Sequence, residues 1–194
     1  SEAFYEIKQI KKKNDKFCFL IFGGSQGAKI FDDIFKEMMI EISRNFPIKV
    51  VQQTSRDNIN YLKNFYDSHD IENIIFNFEK NFVNLISISD LCITRAGATS
   101  LAEISFLNKP FIAIPLPTSV DNHQMKNAGY YEEKGCCWVL DQKNLDKEKI
   151  LIFIKDLLKD KKKIIEKKSN LQKLNYENTQ EHINQKIKRV INEY

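Results

Sequence analysis

Six consecutive apolar residues, Phe17–Phe22 (FCFLIF), stop at Gly23 and Gly24. A strand with one wet face alternates apolar and polar side chains. A strand with no polar position must be covered on both faces. Helices cover both faces of a sheet when parallel strands are joined by helical crossovers. The segment therefore points to a parallel sheet between two helical layers. The rest of the chain repeats the alternation. Ile30, Phe31, Ile34, Phe35, Met38, Met39 and Ile42 follow at helical spacing. Short apolar runs at 48–51, 74–78, Leu91–Thr94, 111–116 and 136–140 read as further strands. Residues 58–66, Phe82–Ile88, 100–107 and 123–134 read as the helices between them. From Leu145 onward the pattern is helical, with a break expected at 175–178 before a last helix over 179–192. The expected class is α/β, a Rossmann-like doubly wound parallel sheet of about six strands.

With 194 residues, 42% of them hydrophobic, the chain can bury one sizeable core. No run approaches the ~20 apolar residues of a membrane span, and no basic-then-apolar leader is read. Thirty basic and 26 acidic side chains give a net charge of +4. Lys and Glu are mixed along the same helices, so no nucleic-acid partner is expected. The local surplus at Lys11, Lys12 and Lys13, and at Lys161, Lys162, Lys163, Lys167 and Lys168, reads as solvated helix faces, with a patch for an anionic membrane as the alternative. Cys18, Cys92, Cys136 and Cys137 lack metal-ligand spacing and read as reduced core thiols of a cytoplasmic protein.

Three segments carry candidate chemistry, each where a strand ends. Gly23-Gly24-Ser25-Gln26-Gly27-Ala28 joins the first strand to its helix. Glycine allows a tight turn and close approach of backbone to a ligand, and the helix start offers free N–H groups to a phosphate. The spacing is neither the dinucleotide fingerprint nor a P-loop, and a plain tight turn is the alternative. Arg95-Ala96-Gly97-Ala98-Thr99-Ser100-Leu101-Ala102-Glu103 follows the fourth strand. Thr99 and Ser100 suit a phosphate or hydroxyl, and Glu103 suits a ribose diol. The simpler reading is a capping box closed by Glu103. Asp121-Asn122-His123-Gln124-Met125-Lys126-Asn127-Ala128 follows a proline-bounded strand. His123, Gln124 and Asn127 share a helical face and suit a polyhydroxylated ligand; capping by Asp121 or Asn122 is the alternative. Ligands of open α/β sheets bind at the carboxyl ends of strands, which favours all three segments together.

GGSQGA, SDLCITRAGATSLAEI, the proline-rich strand and DNHQMKNA occur in this order between residues 17 and 140. Together they resemble the MurG family of GT-B glycosyltransferases, and specifically its C-terminal half. The resemblance implies that this domain holds UDP-N-acetylglucosamine and uses no other cofactor. Gly24, Ser25, Gln26 and Gly27 would meet the diphosphate, with Gly97, Ala98, Thr99 and Ser100 beside it. Phe78 and Glu79 would hold the uracil, and Glu103 the ribose hydroxyls. His123, Gln124 and Asn127 would read the sugar, and Gln53 matches the Gln of a strand-end motif. Gln52 stands where the family has His, Ser55 where it has Gly, and Glu79 where it has an apolar residue.

The implied reaction is inverting transfer of N-acetylglucosamine to lipid I, forming lipid II of peptidoglycan; no acidic pair suggests bound Mg²⁺, so a metal-independent site is expected. The resemblance places the acceptor site and the catalytic base in an N-terminal domain on the cytoplasmic face of the inner membrane, outside this chain. Residues 1–16 are then expected as an entry segment, 17–176 as the nucleotide-sugar domain, and 177–194 as a helix packing on that other domain. The isolated chain is expected to be inactive. A soluble donor-binding subunit of a split glycosyltransferase, and a UDP-N-acetylglucosamine 2-epimerase-like domain, are the alternatives.

Overall fold

The computed structural model describes residues 16–178. Six parallel strands form one sheet: β1 (Phe17–Phe22), β2 (Ile48–Gln53), β3 (Glu72–Phe76), β4 (Leu91–Thr94), β5 (Phe111–Ala113) and β6 (Cys137–Val139). Their order is β3-β2-β1-β4-β5-β6, the doubly wound order in which the connections reverse direction between β1 and β4. The helices are α1 (Gly24–Ser43), α2 (Ile59–Asp67), α3 (Phe82–Ile88), α4 (Ala98–Phe106), α5 (His123–Glu133), α6 (Lys147–Lys159) and α7 (Lys162–Glu177).

The apolar run of β1 serves both faces in alternation. Phe19 and Ile21 pack with Phe31, Phe35, Met39 and Ile42 of α1 and with Ile154 and Leu157 of α6. Cys18, Leu20 and Phe22 pack on the other face with Ile86 of α3, Leu101 and Ile104 of α4 and Leu171 of α7. Phe19, Leu20 and Ile21 are fully buried, each worth about 1.5–3 kcal/mol relative to exposure. A polar residue at either parity would face a helical layer, which is why the run has none. All four cysteines are buried and free; burial pushes the Cys92 and Cys137 thiols up to about 12. Lys161, Lys162 and Lys163 are exposed, and Lys167 lies 5.3 Å from the centre of the Trp138 ring.

Several boundaries differ from those read in the sequence, for local reasons. Strand β5 ends at Ala113 rather than at 116. Pro115 has no N–H to continue the ladder, and the Leu116 N–H turns to the Gln124 side chain. Strand β3 lies two residues earlier than expected, ending at Phe76. Beyond it, side chains replace the ladder: Gln53 donates to the Asn77 carbonyl at 3.0 Å, and Asn77 donates to the Thr54 carbonyl at 3.0 Å. Helix α7 runs through Asn175 to Glu177, so the break expected at 175–178 is not in place over most of that stretch. Asn175 binds the Ser105 carbonyl and the Asn108 side chain, fastening α7 to the end of α4. The helix expected over 179–192 lies outside the described residues. Gly135 has φ +66°, and a Cβ there would come 2.8 Å from Asn170 Nδ2; here glycine is required by the fold.

Candidate functional site

Where β1 and β4 lie side by side, the chain leaves each strand into a helix. Helix α1 starts at Gly24, two residues past β1, and α4 starts at Ala98 after the turn that follows Thr94. Two helix amino termini therefore open on the reversal point of the sheet. Each carries unpaired N–H groups and roughly half a positive charge. This is the crevice in which doubly wound sheets bind ligands. Gly24, Ser25, Gln26 and Gly27 occupy the first turn of α1. Their side chains, on which the diphosphate expectation partly rests, lie outside the described part.

In the β4–α4 turn, Gly97 is the N-cap of α4, in extended conformation and without a side-chain cap. The capping box read from Thr99 or Ser100 with Glu103 does not form. Thr99 and Ser100 are the second and third residues of the helix, and Glu103 is the sixth, one turn too far to reach back. The half-buried Glu103 carboxylate takes part in no hydrogen bond among the described residues. Gly97 has ordinary dihedrals (φ −67°, ψ 134°), and the nearest atom to a Cβ built there is Ser100 Oγ at 3.9 Å. The fold itself thus leaves room for a side chain at Gly97.

The third segment lies over this turn. Asp121 and Asn122 are left-handed, with φ 48° and 54°, a conformation that Asp and Asn tolerate better than most residues. Neither caps α5 through its side chain. The exposed His123 ring holds its Nδ1 2.6 Å from the Val120 carbonyl. A carbonyl only accepts, so Nδ1 carries the proton, and Nε2 is the acceptor of the neutral ring. Gln124 Oε1 accepts from the N–H groups of Ala96 (3.2 Å) and Leu116 (3.0 Å). Asn127 Nδ2 donates to the Ala96 carbonyl at 3.1 Å. Thus Gln124 and Asn127 meet the β4–α4 turn directly.

The remaining expected contacts come from β2 and β3. Gln53 is tied to Asn77 as described above. Phe78 is 80% exposed on the β3–α3 loop, which leaves its ring free to stack on a planar ligand. The Glu79 carboxylate accepts from the Asn81 N–H at 2.8 Å, beside the start of α3.

Two features were not read from the sequence. The first is a buried polar cluster beneath the carboxyl end of β2. The Asp32 carboxylate on α1 accepts from Gln52 (2.7 Å), Thr54 (2.5 Å) and Asn58 (2.8 Å), and Gln52 in turn accepts from the Tyr66 hydroxyl at 2.7 Å. Burial raises the Asp32 pKa against the pull of its three donors. Gln52 supplies a donor and an acceptor at once, which is what this position requires. The second is Arg95, only 7% exposed. Its guanidinium donates to the Ile114 carbonyl at 3.0 Å and lies 4.9 Å from the centre of the Phe31 ring. Its Nε is buried without a partner, and no carboxylate pairs with it among the described residues. Burial lowers its pKa, yet a guanidinium remains charged. The arrangement is therefore electropositive beside the reversal point. Among the described residues no group of three His, Cys, Asp or Glu side chains is placed to hold a metal ion, and no described helix is long and apolar enough to cross a membrane.

Residues 18–187 match the glycosyltransferase family 28 C-terminal domain. The chain is 45% identical over 190 residues to the UDP-N-acetylglucosamine–N-acetylmuramyl-(pentapeptide) pyrophosphoryl-undecaprenol N-acetylglucosamine transferase of Pelagibacter ubique, covering 98% of this chain and 53% of that protein. It is 35% identical over 170 residues to the enzyme of the same name from Rickettsia bellii, covering 84% of this chain and 48% of that one. The chain thus spans about half the length of the curated relatives it matches. Among solved structures, MurG of Acinetobacter baumannii superposes with a TM-score of 0.72 at 22% identity, over 82% of this chain and 46% of that one; at that identity the likeness concerns the fold.

Proposed function

The chain belongs to the glycosyltransferase family 28 C-terminal domains, and on that premise we propose that it binds UDP-N-acetylglucosamine at the carboxyl ends of β1 and β4. It would be the donor-binding half of an inverting transferase that adds N-acetylglucosamine to lipid I to give lipid II. The observation that carries this reading is the pair of helix amino termini, α1 and α4, opening together on the reversal point, with Glu103 uncommitted one turn into α4. A diphosphate fits the N–H groups, and a ribose diol fits a carboxylate that no cap consumes.

In the proposed reaction the acceptor's C4 hydroxyl attacks the anomeric carbon while the bond to the diphosphate breaks. Negative charge grows on the departing UDP. The α1 and α4 termini and the buried Arg95 guanidinium are fixed positive charge, worth most where water is excluded and no reorganisation is needed. The Phe78 ring and the backbone at Glu79 suit the uracil; the Gln53–Asn77 pair holds the strand ends beneath that loop. His123 Nε2, Gln124 and Asn127 offer neutral donors and acceptors to the sugar hydroxyls. No metal is needed in this scheme, because helix termini and a guanidinium take the role a cation would have. The base, the lipid I site and peripheral contact with the cytoplasmic face of the inner membrane would be supplied by a partner domain, as the relatives' greater length allows. By itself the chain would bind donor without transferring it.

Calorimetric titration with UDP and UDP-N-acetylglucosamine in the presence of a chelator tests the proposal. Binding of both is expected. Binding that appears only with added Mg²⁺ or Mn²⁺ would remove the metal-free scheme, and no binding under either condition would remove the site.

A further inference from the structure

We infer that Gln124 and Asn127 are positioning residues, which set the nucleotide-binding turn with one end of each amide while the other end is left for the sugar. The inference rests on the UDP-sugar reading above. Ala96 is fully buried and immediately precedes Gly97, the N-cap of α4. Both polar groups of its backbone are held from α5, the N–H by Gln124 and the carbonyl by Asn127. These two side chains stand three residues apart, on one helical face. The same Gln124 oxygen also takes the N–H of Leu116, so it joins the exits of β4 and β5.

The chemistry fixes the orientation of both amides. Two N–H donors can be met only by an oxygen, so Gln124 Oε1 must face them and its Nε2 must face away. A carbonyl can be met only by an N–H, so Asn127 Nδ2 faces Ala96 and its Oδ1 faces away. No hydrogen bond among the described residues uses Gln124 Nε2 or Asn127 Oδ1. What remains is one donor and one acceptor, a pair matched to sugar hydroxyls. The residues expected to read the sugar thus also fix the peptide from which α4 departs, and with it the aim of the N–H groups toward the diphosphate. Loss of Gln124 should weaken UDP itself, which carries no N-acetylglucosamine.

The experiment uses this chain with Gln124→Leu and Gln124→Glu, reading amide hydrogen exchange, UDP affinity and UDP-N-acetylglucosamine affinity. In Gln124→Leu the Ala96 and Leu116 amides lose their acceptor; they should exchange faster, and UDP should bind about tenfold more weakly. Gln124→Glu keeps an acceptor and loses only the donor. Exchange at both amides should match the parent, while the ratio of UDP-N-acetylglucosamine to UDP affinity falls. Repulsion from the new charge bears more heavily on UDP, whose terminal phosphate carries the greater negative charge, so repulsion cannot by itself produce that fall. Unchanged exchange or unchanged UDP affinity in Gln124→Leu would overturn the positioning role. If that variant does not fold, fast exchange at Ala96 and Leu116 in Gln124→Glu overturns it, and parent-like exchange with a fallen ratio supports it. A parent chain that binds no UDP overturns the site reading instead.

Discussion

The carboxylate of Asp32 on α1 lies 2.7 Å from the amide nitrogen of Gln52 at the end of β2, and both side chains are buried. This contact fastens the helix that begins at the diphosphate turn to the neighbouring strand. Asp32→Ala would leave Gln52 Nε2, the Thr54 hydroxyl and Asn58 Nδ2 without their acceptor. Thr54 and Asn58 still have each other at 3.1 Å, and a buried charge that was hydrogen-bonded but not paired with a described cation is removed. The net loss should therefore be about 2–3 kcal/mol, near the cost of one or two unmet buried groups. Urea denaturation measures it; a loss under about 0.5 kcal/mol, the scale of a surface substitution, would show that the cluster does not hold α1.

The same carboxylate makes stability depend on pH. Burial raises its folded pKa above the ordinary 3.8. Between those two values the folded chain holds a proton that the unfolded chain has released. The contribution is therefore full below 3.8 and is lost as pH rises through the folded value. Asp32→Asn lacks this titration. Subtracting its unfolding free energy from the parent's, point by point from about pH 3.5 to about pH 7, should give a difference that declines with pH. The other carboxylates largely cancel in the subtraction, so a rising difference would reverse the assignment.

The parts of the fold legible in the sequence were those that local pattern determines. Phe17–Phe22, Phe82–Ile88 and Leu91–Thr94 fall where the apolar periods put them, because β1 has no polar position, β4 has only Thr94 at its end, and a short amphipathic helix has one apolar stripe. Strand β3 is an edge, and its end is decided by the Gln53–Asn77 exchange across 24 residues, which no local pattern carries. Asp32, beside Asp33 in IFDDIF, looks like one of two solvated helix positions; only the packing of α1 on β2 buries one of them. Gln124 and Asn127 were visible as a polar helical face, but the residue they hold is 28 and 31 positions away.

Gly97→Ala separates folding from ligand approach. Its dihedrals suit alanine, and restricting the unfolded chain should stabilise by about 0.4–1 kcal/mol. Alanine is a poorer N-cap than glycine by a similar amount, so the melting temperature should barely move. UDP affinity should fall, because the added methyl occupies the space that the fold leaves beside Ser100. Equal UDP affinity in the two proteins would mean that the ligand does not approach the backbone of this turn.

Glu103 gives the sharpest test of the nucleotide site, since no capping box competes for it. No described hydrogen bond depends on its carboxylate, so Glu103→Ala should change stability by no more than about 0.5 kcal/mol. A charge-assisted bond to a ribose hydroxyl is worth about 1.5–3 kcal/mol, which predicts UDP binding weakened by at least about tenfold. The effect should also depend on the sugar of the nucleotide. With 2′,3′-dideoxy-UDP the parent and the variant should bind alike, because the groups that Glu103 would hold are gone from the ligand. An equal loss for UDP and for the dideoxy analogue would place Glu103 beside the nucleotide without contact to the diol. Unchanged binding of both would place it outside the site.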